Sequence, residues 1–281
     1  VVYVSDLSRN QIYRMGLDGI LTIYAGTGQK SFSGDGGPAT AATLNSPRDI
    51  VLDQEGNLYV ADVSDYRIRK ITKSSGVIQT IAGNGSSTSS GDGGRATGAG
   101  MTPAFVAVDD AGNVCFNEYP DKIRRVGTDG TVQKIAGGGT SQAENVTALQ
   151  ASFNIVQGLT AAADGTLYVG IVPSFMSPNI QIRRVSPAGN VTTLAGGVGV
   201  GSTGDGGQAA AAGLASPASL VTNNGSVWFI DYHVVRRISG GTIQRVAGTH
   251  APAAAGEGGP LMNARLRSLT AITSDAQGHY Y

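Results

Sequence analysis

The chain repeats one unit of roughly 55 residues, and this repeat restricts the possible fold more than any other feature of the sequence. The clearest copy runs from Pro47 to Gly94, and it predicts four short strands at 49–52, 58–61, 67–71 and 77–82. β-Branched and aromatic residues fill the strand segments, whereas Gly, Ser, Asn and Asp fill the turns between them. The third strand recurs as QIYRM at 11–15, KIRRV at 122–126, QIRRV at 181–185 and VVRRI at 234–238.

Five copies of each strand are present, and their arrangement predicts an all-β fold. A four-stranded antiparallel unit cannot bury both of its faces alone, but units packed around an axis bury them against one another. We therefore expect a single domain over 1–281, a β-propeller of four-stranded antiparallel blades. The expected blades are 269–281 together with 1–46, then 47–102, 103–154, 155–216 and 217–268.

The two ends of the chain supply complementary parts of one blade. Residues 1–25 provide second, third and fourth strands, and residues 269–281 provide a first strand and the start of a second. The complementary strands at the two ends predict a closed five-bladed ring, because closure removes exposed strand edges. The alternative is that the five repeats are part of a six-bladed ring, and the sequence leaves both open.

The repeat resembles the NHL-repeat family of β-propellers. The resemblance is carried by PRDIVLD at 47–53, GNLYVAD at 56–62 and RIRKI at 67–71. The linker SGDGGPAT at 33–40 is similar to the long-linker variety common in bacterial multi-domain and extracytoplasmic proteins. The resemblance covers essentially the whole chain and implies a six-bladed propeller as the usual form. It does not imply one function, because such propellers include binding modules, lyases and lactonases.

Composition excludes several classes of partner. The formal net charge is zero and charged residues make up 14% of the chain, so no general attraction to nucleic acid or anionic membrane is expected. A single cysteine excludes an internal disulfide framework. No apolar run approaches the ~20 residues of a membrane-spanning helix. We therefore predict no nucleic-acid partner and no membrane insertion, and we leave the oligomeric state open.

Four of the long linkers carry an acidic glycine motif, Gly-Asp-Gly-Gly or Gly-Glu-Gly-Gly. The acids are Asp35, Asp92, Asp205 and Glu257. A hard cation needs about six oxygens, and each motif offers one carboxylate. We expect a structural role, in which the carboxylate accepts hydrogen bonds from the backbone of its own loop while the glycines supply positive φ. The stretch after Gly37 should form a helical turn, with a leucine filling the gap between blades. The leucines at this position are Leu44, Leu214 and Leu266.

An acid closes most of the second strands, and a basic pair faces it from the third strand. The acids are Asp6, Asp62, Glu118 and Asp231, and the clearest pairs are Arg69-Lys70, Arg124-Arg125, Arg183-Arg184 and Arg236-Arg237. A ring of arginines could bind phosphate or RNA. The alternative is that acid and base pair within or between blades, and the neutral net charge favours this interpretation.

Histidines offer little support for catalysis. The three histidines of the chain include His233 and His250, which with Glu257 form a weak alternative metal site. These groups belong to one repeat, whereas a catalytic site needs convergent groups that orient one another. We therefore predict no catalytic residue, no cofactor and no metal.

The segment IVPSFMSP at 171–178 departs from the other repeats. Its turn is longer, it has Ile171 in place of the acid, and it is apolar between two prolines. Exposed apolar loops often mark contacts, so we predict a ligand-binding surface of Phe175 and Met176 rimmed by Arg183 and Arg184. The alternative is that the loop packs over the channel mouth or onto the next linker.

These observations together favour a non-enzymatic binding module. We define the top face as the side that carries the linkers and the turns between second and third strands. This face should bind a protein, peptide or glycan, because loops on a rigid scaffold usually carry function. The resemblance implies an extracytoplasmic, bacterial setting. The alternative function is a lyase-like or lactonase-like enzyme with a metal in the central channel.

Overall fold

The computed structural model describes residues 1–172, 179–249, 255–256, 258–267, 269–275 and 279–281. It divides into two compact units, Val1–Ile135 and Ala136–Tyr281. Regular structure in the described residues consists of β-strands and short 3₁₀ helices. None of the helices among these residues is long and apolar enough to cross a membrane.

The first unit contains three antiparallel sheets whose strands are joined in chain order. Sheet 1 has three strands, β1 (Val2–Asp6), β2 (Gln11–Met15) and β3 (Leu21–Ala25). Sheet 2 has four, β4 (Pro47–Leu52), β5 (Leu58–Asp62), β6 (Arg67–Ile71) and β7 (Ile78–Ala82). Sheet 3 has β8 (Pro103–Val108), β9 (Val114–Glu118), β10 (Lys122–Val126) and β11 (Val132–Ala136). Its 3₁₀ helices are Ala39–Ala41, Val63–Asp65 and Ala96–Gly98.

The second unit contains two antiparallel sheets. Sheet 4 has five strands, β12 (Val146–Thr147), β13 (Ile155–Ala161), β14 (Leu167–Val172), β15 (Gln181–Val185) and β16 (Asn190–Gly196). The short β12 comes from the preceding linker and pairs with the outer strand β16. Sheet 5 has β17 (Pro217–Asn223), β18 (Ser226–Asp231), β19 (Val234–Ser239) and β20 (Thr242–Ala247). Its 3₁₀ helices are Ala209–Ala211 and Leu261–Asn263.

Meandering antiparallel sheets repeated in this way are the blades of a β-propeller, and the predicted all-β fold class is confirmed. The predicted blade that combines both chain ends stays a prediction. In the described part of 269–281 the backbone pairing is local, between Ser274 and Tyr280. Ile272 donates its N–H to Ser219 Oγ at 2.9 Å, and Tyr280 stacks on Trp228 with ring centroids 3.8 Å apart.

Face-to-face packing of neighbouring sheets forms the hydrophobic cores. In the first unit, Ile71 and Ile78 join the core shared with sheet 1, whereas Ile68 joins the core shared with sheet 3. Adjacent strand residues point to opposite faces, so each sheet can contribute to two cores. In the second unit, Ile182 and Phe229 lie in the core between sheets 4 and 5.

The linkers contribute to these cores through the predicted helical turn and leucine. Ala39–Ala41 and Ala209–Ala211 form 3₁₀ helices, and Leu44 and Leu214 are completely buried. Leu266, in contrast, is only partly buried. The linkers are therefore structural parts of the blades.

Replacement of Leu44 with alanine should lower the free energy of unfolding by about 2–5 kcal/mol, because it removes a buried side chain and leaves a cavity. The matched control is Leu52→Ala in β4, where the side chain is 43% exposed and the change should stay within about 0.5 kcal/mol. Urea unfolding followed by circular dichroism measures both. Equal effects would contradict the packing role of the linker.

Candidate functional site

A buried arginine lies at the centre of the third strand in four of the five sheets. Arg69, Arg124 and Arg236 are fully buried, and Arg183 is 2% exposed. The guanidinium of Arg236 donates to the carbonyl oxygens of Thr203 and Gly213, both at 2.8 Å. These carbonyls belong to two separate segments of the linker that precedes the sheet. The N–H groups of the planar guanidinium therefore join the two segments.

The acids of the glycine motifs bind the same arginines. The closest oxygen–nitrogen distances are 2.7 Å for Asp35–Arg69, 3.0 Å for Asp92–Arg124 and 2.9 Å for Asp205–Arg236. The glycines adopt the expected positive φ, as at Gly34 and Gly36. The expected partner was wrong, because in the described residues these carboxylates accept from the arginine of the next sheet rather than from their own loop. Glu257 lies outside the described residues.

The backbone of the first three glycine motifs also covers the outer strand of the next sheet. Gly36 donates to the carbonyl of Ile78 at 2.9 Å, and Ile78 donates to the carbonyl of Gly37 at 3.0 Å. The same pair of bonds joins Gly93 and Gly94 to Val132, and Gly206 and Gly207 to Ile243. The motif therefore caps a strand edge while its carboxylate neutralises the arginine beneath it.

The acids that close the second strands complete this network, which confirms the interpretation that acid and base pair within the fold. Asp231 accepts from Ser202 Oγ at 2.6 Å, from the N–H groups of Ala215 and Ser216 at 2.7 and 2.8 Å, and from Arg236 at 3.2 Å. Glu118 lies 3.8 Å from Arg124. Charges buried at this depth need such partners, because an unpaired one is strongly destabilising.

Asp62 is less well satisfied than Asp231. It accepts one hydrogen bond, from the N–H of Asn45 at 2.7 Å, and its Oδ2 lies 3.6 Å from Arg69 without a hydrogen-bond partner. Burial consequently raises the pKa of the Asp62 carboxyl to about 7. Asp6, in the equivalent position of sheet 1, is partly exposed, and the hydrogen bond from the Ser8 hydroxyl lowers its pKa.

Sheet 4 keeps the arginine but replaces the glycine motif. Arg183 donates to the carbonyls of Gln142 and Ala143 at 3.1 and 2.9 Å and lies 3.6 Å from Glu144. Glu144 was not among the acids predicted from the sequence. The available signal was its place in the linker before a basic pair, where the other linkers carry the motif acid.

The predicted ligand-binding residues separate into three groups. Phe175 and Met176 lie outside the described residues. Arg183 is buried against the linker, whereas the Arg184 side chain is exposed. The ligand-binding role of these residues stays a prediction, with Arg184 as the described member that solvent can reach.

The weak alternative metal site is represented in the structure by His233 alone, since His250 and Glu257 lie outside the described residues. Across the described ranges, no three metal-ligating side chains come together.

Three apolar residues are exposed on the linker and turn of sheet 5. We call Val198, Val200 and Tyr232 the Tyr232 patch; these side chains are 67%, 69% and 61% exposed. The hydrogen bond from Ser202 to Asp231 holds the linker beside the turn that carries Tyr232. Tyr232 has a positive φ of 64°, as Tyr66 has (53°) in the corresponding turn of sheet 2, so this conformation belongs to the turn between second and third strands.

A pocket of about 260 Å³ lies beside the Tyr232 patch. It is lined by Ser216, Ala218, Ile230, Tyr232, His233 and Leu269. The rings of Tyr232 and His233 are in contact, with centroids 3.8 Å apart, and His233 Nδ1 is buried without a hydrogen-bond partner. The described lining combines apolar side chains with two hydroxyl-bearing residues and one imidazole, which suits an amphipathic side chain.

Comparisons with known proteins agree with this architecture. The family model for the teneurin NHL domain matches residues 1–91. Teneurin-1 of Gallus gallus is 37% identical over 31% of this chain and 4% of its own length. Teneurin-1 of Mus musculus is 25% identical over 84% of this chain and 10% of its own length. The chain therefore spans only a small part of these curated relatives.

Two solved structures share the fold at low sequence identity. A chain of a nidogen/laminin complex aligns with a TM-score of 0.60 and 14% identity, covering 96% of this chain and 81% of that one. A gluconolactonase from Xanthomonas campestris aligns with a TM-score of 0.59 and 14% identity, covering 98% of this chain and 76% of that one. Fold and repeat thus define the class as a β-propeller. Within this class, residues 1–91 match the family model for the teneurin NHL domain, so this part of the chain is similar to an NHL β-propeller.

Arg124 of sheet 3 and Asp92 of the preceding linker allow the contributions of a buried and an exposed charge to stability to be compared. Arg124→Ala should lower the free energy of unfolding by about 3–5 kcal/mol, because it leaves Glu118 buried without its cation. Asp92→Ala should cost about 0–1 kcal/mol, since that carboxylate is 49% exposed. The neighbouring Arg125 is exposed, and Arg125→Ala is the control with an expected change within about 0.5 kcal/mol. Urea titration of the three variants would contradict the network if Arg124→Ala matched Arg125→Ala.

The raised pKa of Asp62 predicts a pH-dependent difference between wild type and Asp62→Asn. Between pH 3.8 and about 7 the folded state holds this proton more tightly than the unfolded state. The contribution of Asp62 is therefore fully present below this window and is lost as pH rises through it. Asn keeps the acceptor for Asn45 but does not titrate, so the stability of the variant relative to wild type should increase from pH 4 to 7.

Asp6→Asn is the control for this measurement, because the pKa of Asp6 is lowered. Its contribution is present above the ordinary aspartate pKa and is lost only as pH falls below it. Thermal melts across the pH range should thus show no comparable trend for Asp6→Asn between pH 4 and 7. A flat Asp62→Asn difference would contradict the raised pKa.

Proposed function

We propose that this chain is a non-enzymatic interaction module that binds a protein or peptide through its linkers and the turns beside them. The observation that carries the proposal is the Tyr232 patch, whose apolar side chains are exposed on the linker and turn of sheet 5. Polar groups of the same linker are already bound within the fold, since Ser202 donates to Asp231 and the carbonyl of Thr203 accepts from Arg236. Apolar patches on a fixed support are typical of protein-binding surfaces, because little entropy is lost when they bind.

The pocket beside the patch favours a peptide side chain over a sugar. A sugar ring presents several hydroxyl groups, whereas half of the described lining is aliphatic and the polar groups are those of Ser216, Tyr232 and His233. An aliphatic or aromatic side chain with one polar atom would fill this volume and meet one of these polar groups. Tyr232 would then serve as the exposed aromatic anchor.

The loop that contains Phe175 and Met176 belongs to the same proposal. It follows β14 at the strand end where the other turns of the top face begin. We propose that these two side chains and Arg184 form a second contact for the same partner. Arg183 supports the linker instead, because its guanidinium is bound to the carbonyls of Gln142 and Ala143.

Similarity to the teneurin NHL domain and to a chain of a nidogen/laminin complex supports a protein-binding role. We propose an extracytoplasmic location on the same similarity. The fold also occurs in the gluconolactonase, so fold alone does not separate binding from hydrolysis.

Tyr232→Ser combined with Val200→Ser should weaken peptide binding by at least about tenfold while the fold is retained, because apolar anchors dominate binding energy. The probe is a set of peptides selected from a random phage-displayed library on the wild-type chain, and their Kd values are measured by fluorescence anisotropy. The matched control is Lys73→Ala with Ser75→Ala, in the exposed hairpin between β6 and β7. Peptides that bind both variants equally would contradict the patch, and turnover of gluconolactone by the purified chain would contradict the non-enzymatic assignment.

A further inference from the structure

The linkers before sheets 3 and 5 each use a serine to satisfy the buried acid that closes the second strand. Ser89 donates its hydroxyl to Glu118 Oε2 at 2.8 Å, and Ser202 donates to Asp231 Oδ2 at 2.6 Å. Each serine precedes the acid of its glycine motif by three residues. The residue at this position in the linker before sheet 2 is Phe32, which has no hydroxyl to donate.

The acid of sheet 2 consequently lacks the donor that its counterparts have. Asp62 is completely buried, and among the described residues its Oδ2 has no hydrogen-bond partner. The ring of Phe32 lies against two guanidinium groups instead, with its centroid 3.7 Å from Arg67 Cζ and 4.9 Å from Arg69 Cζ. A buried oxygen without a donor is destabilising, so the sheet needs another way to satisfy it.

A second buried carboxylate beside Asp62 is unpaired in the same way. Asp65 is 8% exposed, and its Oδ2 also has no hydrogen-bond partner in the described part of the chain. Asn45 joins the two acids, because its backbone N–H donates to Asp62 Oδ1 at 2.7 Å and its side-chain amide donates to Asp65 Oδ1 at 3.2 Å. The carbonyl of Asn45 accepts from the N–H of Ser64 at 3.0 Å. We call these three hydrogen bonds the Asn45 contact, which holds the end of the linker on the turn between β5 and β6.

The charges around the two carboxylates do not balance. The cations that act on Asp62 are Arg69 and Arg67. Arg69 also binds Asp35, with 2.7 Å between nitrogen and oxygen. Asp35, Asp62 and Asp65 therefore share two guanidinium groups, and one negative charge is left over.

A proton fits this site better than a metal ion. A hard cation needs about six oxygens, whereas the described groups of the site offer two unpaired carboxylate oxygens. Arg69 also lies 3.6 Å from Asp62 Oδ2, where it would repel a metal ion. One proton would cancel the surplus charge, and a protonated carboxyl group can donate to a neighbouring carboxylate.

We propose that Asp62 and Asp65 share a proton that keeps the Asn45 contact closed, so that the end of the linker and the turn form a pH-sensitive switch. With the proton present, Oδ2 of Asp62 donates to Oδ2 of Asp65, and both buried atoms are satisfied. Loss of the proton leaves two like charges together without a donor, and the Asn45 contact must open to admit water to them. The switch is independent of the Tyr232 patch, whose residues lie in the other unit.

The switch should act near neutral pH. Burial raises the pKa of Asp62 to about 7, and the charge of Asp65 acts in the same direction. The N–H of Asn45 and the charges of Arg69 and Arg67 oppose this increase in pKa. Because the folded pKa exceeds the ordinary value of 3.8, the stabilisation is fully present below pH 3.8 and is lost as pH rises through about 7. At one pH unit above the folded pKa, about a tenth of the molecules retain the proton, so opening of the Asn45 contact should increase about tenfold.

Hydrogen exchange of backbone amides in the full chain tests the proposal, measured by NMR from pH 5 to 8 and corrected for the intrinsic rate of exchange. The amides of Asn45 and Ser64 should lose about tenfold in protection between pH 6 and 8. The amides of Ala215 and Ser216 are the internal control, because they donate to Asp231 at 2.7 and 2.8 Å in the corresponding place of sheet 5. Protection of these two amides should stay constant over the same range.

Two substitutions should remove the pH dependence by different routes. Asp65→Asn keeps the acceptor for Asn45 and supplies an amide that can donate to Asp62, so the Asn45 contact should stay closed at pH 8. Phe32→Ser supplies the hydroxyl that the linkers before sheets 3 and 5 provide, and the same result is expected. Asp121→Asn, at the turn acid of sheet 3, is the matched control and should keep the loss of protection seen in wild type.

Constant protection of Asn45 and Ser64 between pH 6 and 8 in wild type would overturn the proposal. A tenfold loss that persists in Asp65→Asn or in Phe32→Ser would also overturn it, because the proton would then not be shared in place of the missing hydroxyl. Protection that changes with calcium or with a chelator would overturn it as well, since the two carboxylates would then hold a cation. Circular dichroism confirms that each variant is folded, and wild type alone decides the first of these outcomes.

Discussion

The structure depends on a guanidinium buried in the third strand of a blade and bound to the linker that precedes it. Burying a charge is expensive, and it is tolerated here because carbonyls from two segments of the linker and two carboxylates surround Arg236. Linkers of this length without regular structure are uncommon in compact domains unless something fixes them. The arginine fixes them by joining distant points of the loop to a strand that the sheet already holds in place.

This arrangement determines which groups remain for binding. The acids and arginines that resemble a polar site in the sequence are consumed within the scaffold, as Asp231 and Arg236 show. Function is therefore carried by side chains that the scaffold does not use. Tyr232 is one of these, because its neighbour Asp231 holds the turn while the ring projects outward. The same division separates Arg183, which supports a linker, from Arg184, which is exposed.

Repeat and alternation were sufficient to predict the main strands from β1 to β20, and Arg67–Ile71 has the bounds expected from the sequence. They did not predict β12, and the described part of 269–281 forms no strand where a first and a second strand were expected. Repeat and alternation were insufficient to predict which residues the linker acids bind. Alternation places Arg69 and Lys70 on opposite faces, but it does not say which face the linker covers. Glu144 was missed because its linker lacks the acidic glycine motif, and Tyr232 because one aromatic residue in a short turn carries no periodic signal. Tertiary contacts set these features, and local sequence does not encode them.

The capping of each outer strand by the preceding linker gives the repeat a direction. The motif at Gly36 and Gly37 protects Ile78, which comes later in the chain, and contributes no such cap to the sheet before it. Stability in repeat proteins is approximately a sum of unit and nearest-neighbour terms. Here the neighbour term is asymmetric, so the loss of one repeat uncovers the strand edge of its successor while its predecessor keeps its own cap. Local unfolding should consequently spread from a lost repeat towards the carboxyl terminus of the chain rather than towards the amino terminus.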